Sequence, residues 1–211
     1  MKNQVKPLGM LANVLLTVAL LCQAAHAGAG AEQESNTLEA MRTSFIPAGQ
    51  AGMNRLDQDE TQAQCSRYAP KLPPAAIGNR LAALNRAAIK PPADGKYLGD
   101  FRKGEHIAQT GTGFQSSDDP GVPAGGNCYA CHEMAKSEVA FGTIGPSLNR
   151  YGKTRGTSPE MLAYAWERLY DTKAFIPCSS MPRFGQQHIL SESQLRDVMA
   201  FLFDPESPVN R

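Results

Sequence analysis

Five consecutive residues, Cys128-Tyr129-Ala130-Cys131-His132, carry the densest chemistry in the sequence. Two thiols three positions apart can each add to a vinyl group of one porphyrin while the backbone makes a single turn. The histidine that follows is then carried to the iron from the proximal side. Two other chemistries use the same thiol spacing. Half of a zinc site would need His132 or distant residues to complete a tetrahedron. A thioredoxin-like redox pair would need a strand running into a helix, a context the sequence does not offer. With Gly125 and Gly126 leading into it, the motif predicts one covalently bound haem c whose iron is held by His132.

A sixth iron ligand has to be a soft or nitrogen donor from far downstream, on a loop that can fold over the opposite face. Met181 has the best setting, in the irregular run Ile176-Pro177-Cys178-Ser179-Ser180-Met181-Pro182, where Pro182 fixes the backbone just after the sulfur. His188, seven residues on, is the main rival, and His106 is expected on the surface. Met134, Met161 and Met199 lie on or beside helical stripes, where methionine is usually core filler. Thioether ligation raises the reduction potential relative to two imidazoles, which suits a protein accepting electrons. The second ring nitrogen of His132 needs a fixed acceptor, for which the carbonyl of Pro146 in Gly145-Pro146-Ser147-Leu148 is the candidate. An ordinary proline turn is the other reading of that run. Trp166, Tyr151 and Phe184 either line the haem or pack the core.

The N-terminus reads as an address. Lys2 and Lys6 precede a mostly apolar run from Leu8 to Leu21, and Ala25-His26-Ala27 supplies small residues for cleavage after Ala27. The run is too short and wrongly flanked for a stable membrane span. Acylation at Cys22 is the alternative, although Leu21 stands where a small residue is wanted. Cleavage after Ala27 leaves Cys65, Cys128, Cys131 and Cys178 in an oxidising compartment, the periplasm. There Cys65 and Cys178 read as a structural disulfide, with a single reactive thiol or a Cys178 thiolate on iron as alternatives.

Among 211 residues there are 19 Gly and 15 Pro but only 7% aromatics, a loop-rich profile short of bulky core residues. The net charge of +1 gives no argument for nucleic acid or an anionic membrane surface. Helices are expected at 37–45, 54–68 and 75–89, the last with Ile77, Leu81, Leu84 and Ala88 inward. These form an N-terminal extension (28–95) rather than a domain of their own. A core at 96–211 follows, with a helix at 99–109, a polar surface loop at 110–127 and irregular chain at 141–151. Ser158 before Pro159 starts a helix with Met161, Leu162, Ala165, Trp166 and Leu169 inward. Ser191 with Gln194 starts the last helix, with Leu195, Val198, Met199 and Leu202 inward and Pro205 ending it. The class is all-α, a class I-like cytochrome c domain behind a helical extension and a signal peptide (1–27).

The run 126–132, Gly145-Pro146-Ser147-Leu148, Met181-Pro182-Arg183-Phe184-Gly185 and the tail Asp204-Pro205-Glu206-Ser207-Pro208-Val209-Asn210 resemble the SoxX cytochromes. The extension, with Arg55 to Glu60 and Cys65, looks like the longer SoxX form, so the likeness covers nearly all of the mature chain. The haem motif marks only cytochromes c in general; the Met-Pro-Arg-Phe-Gly loop and the tail narrow it. The resemblance implies the smaller subunit of a periplasmic SoxXA heterodimer, paired with a SoxA-like dihaem or monohaem cytochrome. That complex joins thiosulfate oxidatively to a cysteine of the SoxYZ carrier. SoxX takes the electrons and passes them to a downstream acceptor cytochrome. On this reading Cys128 and Cys131 attach the haem, and His132 and Met181 are its axial ligands. The polar loop at 110–127 departs from shorter SoxX members.

Three functions compete on these residues: electron transfer in a heterodimer, a haem sensor or enzyme with an open sixth position, and a zinc module without redox chemistry. A single Cys-x-x-Cys-His disfavours a two-haem peroxidase.

Overall fold

The computed structural model describes residues 36–211. The expected signal peptide, with Cys22 and Ala27, lies outside the described residues. The described residues divide into two compact units, one of 36–47 with 53–56, the other of 48–52 with 57–211. In the first, helical backbone runs through 36–44 (α1) and a 3-10 turn covers Met53–Leu56.

The second unit holds α2 (Glu60–Tyr68), α3 (Ala75–Ala87), α4 (Phe101–Gln109), α5 (Tyr151–Arg155), α6 (Pro159–Tyr170) and α7 (Glu192–Phe203). There is no strand among the described residues beyond an isolated bridge between Ala48 and Ala51, so the class is all-α. The helix expected over 54–68 starts late, because Asp59 caps α2. Its carboxylate accepts from Gln62 N at 2.9 Å, and the Gln62 side chain accepts from Asp59 N at 3.0 Å. The expected extension is divided: α2 and α3 fall in the same unit as the remaining helices.

The face of α3 also differs from expectation. Leu81 is fully buried, but Leu84 and Ala88 are exposed, and Asn85 takes the inward position. Its amide donates to Thr61 Oγ1 of α2 at 2.9 Å and to Leu81 O at 2.8 Å. A satisfied polar pair thus replaces the expected apolar contact. Sequence periodicity also missed α5, a short helix entered through Arg150 at φ 58° and ended by Gly156 at φ 76°.

α6 and α7 begin as their sequences direct: Ser158 Oγ accepts from Met161 N at 3.3 Å, and Ser191 with Gln194 forms a capping box. Leu195, Val198, Met199 and Leu202 are buried as expected, but so are Ala200, Phe201 and Phe203, because the chain after the helix folds back over it. Asn210 Nδ2 donates to Leu202 O at 3.0 Å, and Ser207 Oγ donates to Phe201 O at 2.5 Å. On α6, Ala165, Trp166 and Leu169 are buried while Met161 and Leu162 are only half-buried.

α4 and α7 make the most extensive helix–helix contact among the described residues. They meet at Gly104, where an added Cβ would stand 1.9 Å from Asp197 O and 2.8 Å from Phe201 Cβ. Only a residue without a side chain lets the backbones come so close. Gly104→Ala is therefore expected to destabilise the protein by roughly 1–3 kcal/mol, through overpacking. This would be read as a lower denaturant midpoint at unchanged m-value.

Candidate haem site

The polar loop after α4 leaves the helix and returns to it before the motif begins. Gly126 N donates to Ile107 O at 2.8 Å and Asn127 N to Thr110 O at 2.9 Å. Asn127 turns the chain in the left-handed region, at φ 44°, into a single 3-10 turn, Cys128–Ala130. Cys131 N and His132 N both donate to Cys128 O, so the thiols and the imidazole share one tight turn.

A second loop is strapped along that turn. Gly142 N donates to Tyr129 O at 2.8 Å, Gly145 N to Cys131 O at 2.9 Å and Leu148 N to Glu133 O at 2.8 Å, while Asn149 Nδ2 donates to Met134 O at 2.8 Å. The strap carries the carbonyl of Pro146 to 2.7 Å from His132 Nδ1. That contact fixes Nδ1 as the protonated donor and leaves Nε2, which has no hydrogen-bond partner among the described residues, with its lone pair for a metal. Gly145 lies flat against the ring: a Cβ there would be 2.2 Å from His132 Cε1. Sequence reasoning found the Pro146 carbonyl but not this reason for the glycine.

Cys128 and Cys131 are unbridged and half-buried. Burial pushes the Cys128 thiol up to about 12, the opposite of the low-pKa thiolate that a redox Cys-x-x-Cys pair relies on. Among the described residues no three His, Cys, Asp or Glu side chains gather as a metal cluster. Two unbridged thiols on one turn and a braced imidazole fit a covalently attached haem.

Met181 reaches the core from the segment between α6 and α7. It is half-buried, and it packs against the same apolar cluster as Cys128. His188 is exposed at φ 53°, and His106 is exposed on α4. Met134 and Met199 are fully enclosed, as core methionines should be, and Met161 packs at the core's edge. Phe184 and Trp166 are buried, and Trp166 Nε1 donates to Lys90 O at 2.8 Å. Tyr151 packs edge-on to Phe203, with ring centroids 5.3 Å apart.

The segment is fastened on both sides of Met181. Cys178 is joined to Cys65 of α2 by a disulfide. Gly185 lies against the ring of Tyr170, and the N–H groups of Gly185 and Gln186 both donate to Tyr170 O at 3.1 Å. Arg183, only 5% exposed, makes a close ion pair with Asp59. Burial works to raise the Asp59 carboxyl, but the Gln62 bond and the Arg183 guanidinium hold it below the ordinary carboxylate range. Asp171 is fully buried, with one oxygen accepting from Lys173 N at 2.9 Å and Oδ2 without a hydrogen-bond partner among the described residues. Burial pushes its carboxyl up, against the pull of Arg183 and Lys173. Burial, and then Arg183, push the Lys173 ammonium down. The pairing of Asp59 with Arg183 had no signal in the sequence, the two lying 124 residues apart.

No family model matches the chain. It is similar to an uncharacterized lipoprotein of Aquifex aeolicus (strain VF5), 38% identical over 155 residues that cover 73% of each chain. The chain belongs to the family of that lipoprotein. Lipoproteins are exported, so this is an exported family, and no described helix is long and apolar enough to cross a membrane.

Replacing Cys65 and Cys178 together by serine is expected to cost roughly 2–5 kcal/mol in denaturant unfolding. The Asp59 contribution has a defined sign. A carboxylate whose pKa is lowered in the fold stabilises above its unfolded value, and that stabilisation disappears as pH falls through the folded value. The melting temperature of Asp59→Asn should therefore lie below that of the wild type at neutral pH and converge with it in acid.

Proposed function

We propose that this protein is a periplasmic single-haem c-type cytochrome that transfers electrons as the SoxX subunit of a SoxXA complex. The observation that carries the reading is the Cys128–His132 turn with the Pro146 carbonyl on His132 Nδ1, which leaves Nε2 to serve iron. Cys128 and Cys131 would hold the haem through two thioethers, and His132 and Met181 would ligate its iron. Bound there, haem c supplies a one-electron iron couple. The chain's own residues do the rest. Pro146 fixes the imidazole tautomer and orientation, and Gly145 lets the strap close on the ring.

Partner chemistry rests on the resemblance of the Met181–Gly185 loop and the C-terminal tail to SoxX. A SoxA-like cytochrome would pair with the chain, the complex would load thiosulfate onto the SoxYZ cysteine, and a downstream cytochrome would receive the electrons. Val139, Phe141 and Ile144, exposed large apolar side chains on and beside the strap over the motif, support a protein partner at that face.

Expressed in a periplasm with haem-attachment machinery, the protein should give the pyridine haemochrome of two thioether bonds and a weak near-infrared methionine-to-iron band in its ferric form. Met181→Ala should lose that band and lower the reduction potential. A five-coordinate, high-spin wild type that binds carbon monoxide fast on reduction would instead identify the sensor or enzyme alternative, and a colourless protein the zinc one. Co-purification with a larger haem subunit tests the heterodimer.

The relative's description as a lipoprotein favours a second reading of the leader, acylation of Cys22 in place of cleavage after Ala27. Mass spectrometry of the mature N-terminus separates a chain beginning at Gly28 from one beginning at a lipidated Cys22.

A further inference from the structure

Two attachments tie the Met181 segment to α2: the Cys65–Cys178 bond three residues before the sulfur and the Asp59–Arg183 ion pair two residues after it. We propose that Asp59 and Arg183 are a positioning pair for the sixth iron ligand, with α2 the fixed post to which the methionine segment is held. This rests on the reading of Met181 as that ligand.

The post is braced within itself and again at the start of the segment between α6 and α7. Asp59 is locked by reciprocal bonds with Gln62. α2 is joined to α3 by the buried Thr61–Asn85 bond. α3 is held in turn by Arg86, whose Nη2 donates to Ala174 O at 3.0 Å and whose guanidinium lies 4.5 Å from the centre of the Phe175 ring.

The other end of the pair has little freedom. A guanidinium does not shed its proton, and a buried charge without a counter-charge is strongly unfavourable. Asp171 is another carboxylate that feels the Arg183 charge, and it already feels Lys173. Without Asp59, Arg183 must turn to solvent or swing toward Asp171 Oδ2. Either movement pulls on the backbone two residues from Met181. A thioether is a neutral, weak donor, and it keeps its place against competing ligands because the chain holds it at high effective concentration. Slackening the chain lowers that concentration.

The test is imidazole titration of the ferric, haem-loaded full-length protein, followed by the near-infrared band and the main visible absorption. Asp59→Asn removes the charge but keeps the cap, since asparagine and aspartate cap equally well. In Asp59→Asn and Arg183→Gln imidazole should displace Met181 at about tenfold lower concentration than in the wild type, with Arg183→Lys in between. Ser207→Ala, which loses the buried bond to Phe201 O far along the chain from the segment, should lower the melting temperature without moving the imidazole midpoint. Midpoints in Asp59→Asn equal to wild type overturn the proposal, as does an equal shift in Ser207→Ala, which would make the effect one of general stability. Should Arg183→Gln fail to fold, Asp59→Asn decides alone. A wild type without the band overturns Met181 ligation, and the pair's role with it. A wild type with the band and unmoved variants overturns the pair alone.

Discussion

An imidazole serves a metal well only when its other nitrogen is spoken for, and here the 2.7 Å contact between His132 Nδ1 and the carbonyl of Pro146 does this. That contact is not local. It needs the strap from Gly142 to Asn149 to lie along the motif turn, which four hydrogen bonds to residues 129–134 enforce. It needs Gly145, since a side chain there would collide with the ring. It also needs the motif turn itself to start from the right place, which the return of the chain to the end of α4 secures. α4 in turn is set by its close crossing with α7 at Gly104. The arrangement of the helical core can be followed outward from one ring nitrogen.

The two sides of the candidate site are built by different means. The histidine side is a short-range construction of backbone hydrogen bonds among residues 107–149. The methionine side depends on long-range links: a disulfide spanning 113 residues and an ion pair spanning 124. This difference explains what could be read from the sequence. Cys-x-x-Cys-His, the Gly-Pro after it and the methionine between two helices are recognisable because residue type and spacing along the chain already encode the chemistry. The capping signals at Ser158 and Ser191 were legible for the same reason, and the Asp59-x-x-Gln62 box at α2 carried an equally local signal.

Long-range polar partnerships carry no such signal. Nothing in a single sequence marks Arg183 as buried or selects Asp59 from the other acids as its partner, and Asp171 looks like any helix-terminal aspartate. The misjudged face of α3 has a related cause. Apolar spacing pointed to Leu84 and Ala88, but Asn85 could be turned inward because Thr61 supplies its hydrogen bond, and that depends on the neighbour's position rather than on helical period. α5 is five residues long and is held by contacts with the C-terminal tail, including Arg150 N to Val209 O at 2.7 Å. So short a helix leaves no periodic trace.

The chain between Thr110 and Asn127 enters and leaves at neighbouring points, pinned at its neck by the bonds to Ile107 and Thr110. Closure entropy grows only logarithmically with length once a neck is fixed, so residues can be added or removed at the tip, around 119–122, without displacing Cys128. The excursion is therefore a natural graft point. An epitope, a fluorophore or a surface-attachment tag placed there would report on the protein while leaving the Cys128–His132 turn undisturbed.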